Sequence, residues 1–184
     1  MMIMDRKTKE ALAQPIIGFR LPRFNELPDV GLYLDQVTKY INGFLAPLEG
    51  VELTSSMVSN YVKKKLIAKP VKKQYTAEQI AYLFFIVFAK NLVSMENIGL
   101  LIEMQVATYT LPVAFDYMCA QMEESLQVVF GLKESAETIG VTHSDEKDIL
   151  TSLISSAATV IYLNACFQHV RKLRMPEKAG GARG

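Results

Sequence analysis

One stretch of sequence decides the fold: residues 54–76 read TSSMVSNYVKKKLIAKPVKKQYT. Small polar residues open it, and either Thr54 or Ser55 caps a helix that runs from Ser56 to about Lys65. One side of this helix is polar and basic. The other side is apolar at helical spacing and predicts the buried residues Met57, Val58, Tyr61 and Val62.

The residues after this helix predict a small wing. Positions 66–75 are too few, and too interrupted by Pro70, to form another helix, and their β-favouring residues predict two short strands. Thr76 and Gln79 then form a capping box that opens a helix ending near Leu92. This helix is apolar on every side, so we expect it to be central in the fold, with the core residues Ile80, Leu83, Phe84 and Val87.

Another helix precedes this stretch, from about Leu32 to Leu45, and it ends at Pro47 and Gly50. The order helix, turn, helix and wing predicts a winged helix-turn-helix. The turn, residues 46–53, is longer than the tight turn usual in that motif.

Three more helices are predicted towards the C-terminus. Ser94 caps a short one, and a longer one follows over about 111–130, where Gly131 ends it. The last begins after Ser144 and continues to about Leu173. We expect the two longer helices to pair as a hairpin.

The chain is therefore expected to be mainly α-helical, with an N-terminal winged helix-turn-helix followed by a C-terminal helical hairpin. Three prolines near the N-terminus break any long helix there, so that part is expected to be poorly ordered. The predicted organisation is a lead-in segment (1–27), a winged helix-turn-helix DNA-binding domain (28–107), a helical dimerisation or effector region (108–174) and a disordered tail (175–184).

Charge is distributed unevenly along the chain. The formal net charge is only +1, which by itself argues against a nucleic-acid partner, yet six lysines and no acid lie between Thr54 and Thr76. A solvated lysine cluster is the alternative interpretation. Because the lysines accompany a helix-turn-helix pattern, we interpret them as part of a site for double-stranded DNA. The expected DNA-binding residues are Ser55, Ser56, Ser59, Asn60, Lys63, Lys64, Lys69, Lys72 and Lys73.

These residues are expected to divide into two roles. Short polar groups and an amide can reach base edges, so Ser56, Ser59 and Asn60 are assigned to the groove. Cations neutralise phosphates, so the lysines are assigned mainly to the DNA backbone.

Three separated motifs carry a resemblance to a known family: LYLDQV at 32–37, NYVK at 60–63 and KQY at 73–75. Together they resemble the bacterial family named domain of unknown function 1836, which is MerR-like. The resemblance covers about residues 28–105 and implies a winged helix-turn-helix with a role in transcription. The chain departs from the MerR-type recognition helix at Ser59, where arginine is usual, and at Lys65, where glycine is usual.

Residue types that would support catalysis or a cofactor are scattered. No glycine-rich phosphate loop follows a strand, and His143 and His169 are isolated. Cys119 and Cys166 lie in apolar helical contexts without metal-ligand spacing, so reduced thiols in a cytoplasmic protein are expected. We expect no enzyme, no cofactor and no metal site. The methionine and aromatic stripe of the 111–130 helix is interpreted as core, with an effector pocket between helices as the alternative.

The last predicted helix carries no charge between Ile149 and Phe167, which is long enough to raise the question of a membrane span. Six serine, threonine and asparagine residues lie within it and favour an amphipathic helix with a wide apolar face instead. One partner helix cannot cover that face, so we expect a two-fold homodimer. The expected interface residues are Leu153, Val160, Leu163 and Phe167.

These patterns favour a cytoplasmic, MerR-like transcriptional regulator that binds DNA as a homodimer. The alternative is a helical protein-interaction or membrane-associated module that kept the fold without DNA binding. The placement of the lysines distinguishes the two, since a DNA site requires the cluster to lie on one exposed face shared by the helix and the wing.

Overall fold

A computed structural model describes residues 4–175 of the chain. The described residues are mainly helical, which confirms the expected class. The elements are α1 (Arg6–Ala13), β1 (Leu32–Tyr33), α2 (Leu34–Leu45), α3 (Ser55–Lys63), β2 (Gln74–Tyr75), α4 (Ala77–Ala89), α5 (Met95–Thr108), α6 (Leu111–Val129) and α7 (Asp145–Arg174). The tail predicted for 175–184 lies outside the described residues except for Met175.

Side-chain caps start the helices where the sequence predicts them. Thr54, Ser94 and Ser144 each accept a hydrogen bond from the backbone N–H three residues later. At α4, Thr76 and Gln79 form the expected reciprocal capping box. Helix α5 is longer than expected, with 14 residues.

Helix α4 is the centre of the core. Ten of its 13 residues are buried, which agrees with the prediction that it is apolar on every side. The ring of Phe84 packs edge-on against Phe44 of α2, at 6.1 Å between centroids, and against Phe115 of α6, at 5.8 Å. One continuous hydrophobic core therefore joins α2, α4 and α6.

The N-terminal segment is ordered, contrary to expectation. Residues 6–16 are helical, and the Leu21 side chain is fully buried. Glu123 of α6 accepts the backbone N–H of Leu21 at 2.8 Å and pairs with the Arg23 guanidinium at 2.8 Å. Asp116 accepts the backbone N–H of Phe24 at 2.7 Å. The prolines shorten the helix but leave the extended part free to pack on α6, so the predicted disorder is wrong for the described residues 4–27.

Helices α6 and α7 run side by side in the same direction. The residue numbers rise together along both helices in the contacts Tyr117 with Thr151, Ser125 with Ser155 and Phe130 with Tyr162. The two helices of a hairpin would run in opposite directions. The predicted C-terminal hairpin is therefore wrong.

The connection between the two helices, residues 131–144, makes the parallel arrangement possible, and we call it the return segment. Helix α6 has 19 residues and is about 28 Å long, whereas the return segment can extend over about 46 Å. Glu124 of α6 holds its first half by accepting hydrogen bonds from Lys133 Nζ at 2.8 Å and from the Glu137 backbone N–H at 3.2 Å. At its end, the hydroxyl groups of Ser144 and Tyr109 lie 2.7 Å apart, beside the start of α6.

The predicted two-stranded wing is also partly wrong. Strand β2 exists, but its antiparallel partner is β1, with Leu32 opposite Tyr75. Within residues 66–75, only Val71 bridges Gln74. Backbone groups of the expected first strand form hydrogen bonds outside a sheet. The Leu66 N–H donates to the end of α3, and the Ala68 carbonyl accepts from Gln79 Nε2 at 2.9 Å.

Helix α7 is the one described helix that is long and apolar enough to cross a membrane, by length and composition alone. Its most apolar 18-residue window has a mean hydropathy of 1.6, and 28% of that window is buried within the protein. Leu153 belongs to the buried part, with 8% exposure. It packs in the protein's own core, so its assignment to a dimer interface is wrong.

Candidate nucleic-acid interface

Helix α3 presents one packed side and one solvent-exposed side. Val58 and Tyr61 are buried, and Met57 and Val62 are half-buried, so the predicted inner side is confirmed. Every residue assigned from the sequence to DNA is exposed: Ser55, Ser56, Ser59, Asn60, Lys63, Lys64, Lys69, Lys72 and Lys73.

The exposed side of α3 offers groups that can bond to a partner. The Ser59 hydroxyl donates to the Ser55 carbonyl at 3.0 Å and keeps its oxygen lone pairs free to accept. The Asn60 amide has no hydrogen-bond partner among the described residues, so its donors and its acceptor all face solvent. An exposed amide of this kind can bind an adenine edge through two hydrogen bonds.

The basic cluster consists of the six lysines between Thr54 and Thr76, and all six are exposed. Within residues 4–175 none of these six lysines forms a salt bridge. The charge of the cluster is therefore not neutralised by an acid of the described chain. Its members are Lys63, Lys64, Lys65, Lys69, Lys72 and Lys73.

Two of these lysines form a tight turn, Val71–Gln74, which we call the lysine turn. The Gln74 N–H donates to the Val71 carbonyl at 2.9 Å, and Lys72 and Lys73 have φ values of 49° and 64°. Two consecutive positive φ values define a type I′ turn, in which asparagine and glycine are the favoured residues. The lysine turn thus holds two lysines where the backbone favours smaller residues.

A third lysine is strained at the end of α3. Lys65 has φ 60°, its N–H bonds to the Val62 carbonyl, and the Leu66 N–H bonds to the Tyr61 carbonyl. This pair of bonds is a Schellman motif, whose left-handed position is usually glycine. In the described part of the chain, the non-glycine residues with positive φ are these three lysines.

The turn between α2 and α3 is held by side-chain hydrogen bonds, although it is long. Asn42 of α2 bonds to both the N–H and the carbonyl of Leu53, at 2.9 and 2.8 Å. Lys90, at the end of α4, donates to the Glu52 carbonyl at 2.8 Å and to Met57 Sδ at 3.3 Å. Burial lowers the pKa of Lys90. Both side chains position the start of α3.

Asn42 and Lys90 are absent from the site predicted from the sequence. A polar residue inside the apolar pattern of α2 and a lysine directly after the apolar run of α4 were the available signals. Gly50, in the same turn, has φ 76°, and a Cβ there would lie 2.5 Å from Asn164 Nδ2 of α7. The turn is therefore also in contact with the C-terminal helix.

The predicted site residues fall into two groups. Ser55, Ser59 and Lys63 follow one another at four-residue spacing and share one side of α3. Lys69 and the lysine turn lie beyond α3, on the segment that leads into β2. An exposed, unneutralised basic segment next to a polar helix side is chemically suited to a polyanion.

The fold and the site together define a mainly helical protein with a polar, basic surface on α3 and the segment after it. A family model for DUF1836, a domain of unknown function, matches residues 22–117. The chain belongs to this family, which confirms the resemblance seen in the three motifs. The match runs from the N-terminal segment into the first turns of α6. Comparisons with curated proteins and with solved structures each found no significant match.

Proposed function

We propose that this protein is a MerR-like, DNA-binding transcriptional regulator that acts as a homodimer in the cytoplasm. In this proposal α2 and α3 form a helix-turn-helix, α3 enters the major groove, and the lysine turn replaces the wing by contacting the DNA backbone. Asn60 and the serines read base edges, while the basic cluster binds phosphates.

The observation that carries the proposal is the conformation of three lysines. A left-handed backbone costs an ordinary residue about 1–2 kcal/mol relative to its right-handed form. Lys65, Lys72 and Lys73 all adopt it, within a segment that contains no acid. Strained positions of this kind often serve a function, and the property that lysine brings here is exposed positive charge.

The lysine turn permits an experiment that separates folding from binding. The double variant Lys72→Asn/Lys73→Gly removes two charges and introduces the residues that a type I′ turn prefers. We expect its midpoint of thermal unfolding to rise and its affinity for duplex DNA to fall. If both lysines contact phosphates, the slope of log Kd against log salt decreases by about 1.8, at ~0.9 for each contact.

Fluorescence anisotropy with labelled duplexes, over a series of salt concentrations, measures both effects. Lys7→Gln/Lys9→Gln is the matched control, because it removes the same charge from exposed positions of α1. We expect the control to leave the salt slope unchanged. An affinity of the wild-type protein that is independent of salt, or equal losses in both variants, would contradict the proposal.

A further inference from the structure

A cavity of about 210 Å³ lies between α4, α5, α6 and α7, outside the surface proposed to bind DNA. Its wall is mainly apolar and includes Phe85, Leu101, Met104, Ala114, Phe115 and Leu150. An apolar cavity of about 150 Å³ already accommodates benzene. The volume suits a small molecule and is too small for a helix or a folded peptide segment.

The polar groups at the cavity are already bonded to one another. The Tyr82 hydroxyl donates to Gln105 Oε1 at 3.0 Å, and Gln105 Nε2 donates to the Tyr109 carbonyl at 2.7 Å. The Tyr117 hydroxyl bonds to Thr151. Tyr82 and Tyr117 retain oxygen lone pairs, so one hydroxyl group of a ligand can be accepted there.

The charged groups at the cavity are one cation, Lys147, and one anion, Glu146, so together they give no net charge that would attract an ionised ligand. Lys147 Nζ donates to the carbonyls of Ile139 and Thr142, at 2.6 and 2.9 Å, and faces the ring of Tyr117 at 5.0 Å. Two of the three N–H donors of the Lys147 ammonium are therefore used within the protein. The Glu146 carboxylate also lines the cavity and repels an anion.

The return segment covers one side of the cavity. Three of its residues contribute to the wall: Ile139, Gly140 and Thr142. Lys147 holds this part of the segment in place through its hydrogen bonds to two of its carbonyl groups. The cover restricts access by large partners. A small molecule is thus favoured over a second protein surface as the occupant.

We propose that this cavity binds a small, uncharged, mainly apolar molecule, such as a medium-chain alcohol or a single-ring aromatic compound. The ligand contacts Phe85, Leu101 and Phe115 with its hydrocarbon part. Binding does not depend on the proposed interaction with DNA, and its test contains no DNA.

The test uses the full chain and the uncharged fluorescent probe 1-naphthylamine, which is small enough for a cavity of about 210 Å³. We expect saturable binding of one probe per chain, displacement by 1-octanol, and displacement by octanoate only at concentrations at least tenfold higher. Ala114→Trp fills the cavity and lowers probe affinity at least tenfold. Ala11→Trp is the matched control, because it places the same side chain at an exposed position of α1 and leaves affinity within twofold.

Met104→Trp is a second filling variant in case Ala114→Trp does not fold, and circular dichroism verifies folding of each. Absence of saturable probe binding would overturn the proposal. Undiminished binding in a folded filling variant would place the probe elsewhere and overturn it as well. Equal displacement by octanol and octanoate would show that the site accepts an anion, which contradicts the proposed ligand class.

Discussion

At the scale of single residues, the exposed side of α3 offers one amide side chain, that of Asn60, which could bind a base edge through two hydrogen bonds. Asn60 lies one residue after Ser59, whose hydroxyl is bonded to its own helix, and the Asn60 amide is exposed. In the proposed complex the nearby lysines would contact phosphates, which carry no information on base sequence. Specificity and affinity should therefore be separable by mutation.

Asn60→Ala is expected to reduce specificity more than general DNA affinity. Loss of a two-bond amide contact should cost about 1–3 kcal/mol on the preferred site and little on a scrambled site. Selection of bound genomic fragments identifies the preferred site, and anisotropy measures both affinities. Asn97→Ala, at an exposed position of α5, is the control and should change neither. Equal losses on both sites would contradict the assignment of Asn60 to a base.

Lys65→Gly is expected to stabilise the fold. Glycine adopts φ 60° without the steric cost that lysine incurs there, so the free energy of unfolding should rise by about 1 kcal/mol. Urea denaturation measures the change. Lys64→Gly is the control, because Lys64 has φ −79° and gains nothing from glycine. If both variants lose stability equally, Lys65 is not strained.

At the scale of elements, the acidic residues of α6 organise the segments that pack on it. Asp116 and Glu123 bind the N-terminal segment, and Glu124 binds the return segment. The hydrogen bond from Arg23 to Glu123 raises the pKa of the Arg23 guanidinium, and the hydrogen bond from Lys133 lowers the pKa of the Glu124 carboxyl. Helix α6 thus acts as the attachment site for two non-helical parts of the chain.

The attachment of the return segment should weaken in acid. The folded pKa of Glu124 lies below its ordinary value of 4.5, so its contribution is complete above pH 4.5 and is lost as pH falls below that value. Glu124→Gln is expected to melt at a lower temperature than the wild-type protein at pH 7. The difference should shrink below pH 4.5, because protonation then removes the same charge from the wild type. Glu134→Gln is the control, because it changes an exposed carboxylate of the return segment itself. A melting difference that stays constant with pH would contradict this role.

At the scale of the whole molecule, α7 retains a partly exposed apolar stripe after it has packed on its neighbours. The stripe consists of Val160, Leu163, Phe167 and Val170, which share one side of the helix. Leu163 and Phe167 are 43% and 55% exposed. A second copy of the chain can cover such a stripe by two-fold symmetry. Since α6 and α7 do not form a hairpin, the proposed dimer uses this part of α7 alone.

Leu163→Glu/Phe167→Glu is expected to convert a homodimer into a monomer, with a halved mass by light scattering in detergent-free buffer. Burial of a carboxylate without a partner is costly, so the variant disfavours association. Val106→Glu changes an exposed apolar residue of α5 and should leave the dimer intact. A wild-type protein that is a stable monomer at micromolar concentration would contradict the dimer. A requirement for detergent would favour the membrane-associated alternative.

Much of the local structure was readable from the sequence alone. Helix starts follow from side chains that bond to backbone N–H groups three residues later, as at Thr54, Thr76 and Ser144, and these interactions involve only neighbours in the chain. The same holds for the exposed side of α3, which follows from helical periodicity. The central position of α4 was predictable because a helix that is apolar on every side has to be surrounded.

Tertiary structure decided the direction of α7 relative to α6, the partner of β2 and the order of the N-terminal segment. An apolar stripe packs equally well in either direction, so hydrophobic pattern carries no information on whether two helices are parallel or antiparallel. The direction depends on distant contacts of the return segment with Glu124 and Tyr109. Likewise, Glu123 binds Leu21 and Arg23 across about a hundred residues of chain. Local sequence propensity cannot predict such contacts, because they form only when distant parts of the folded chain meet.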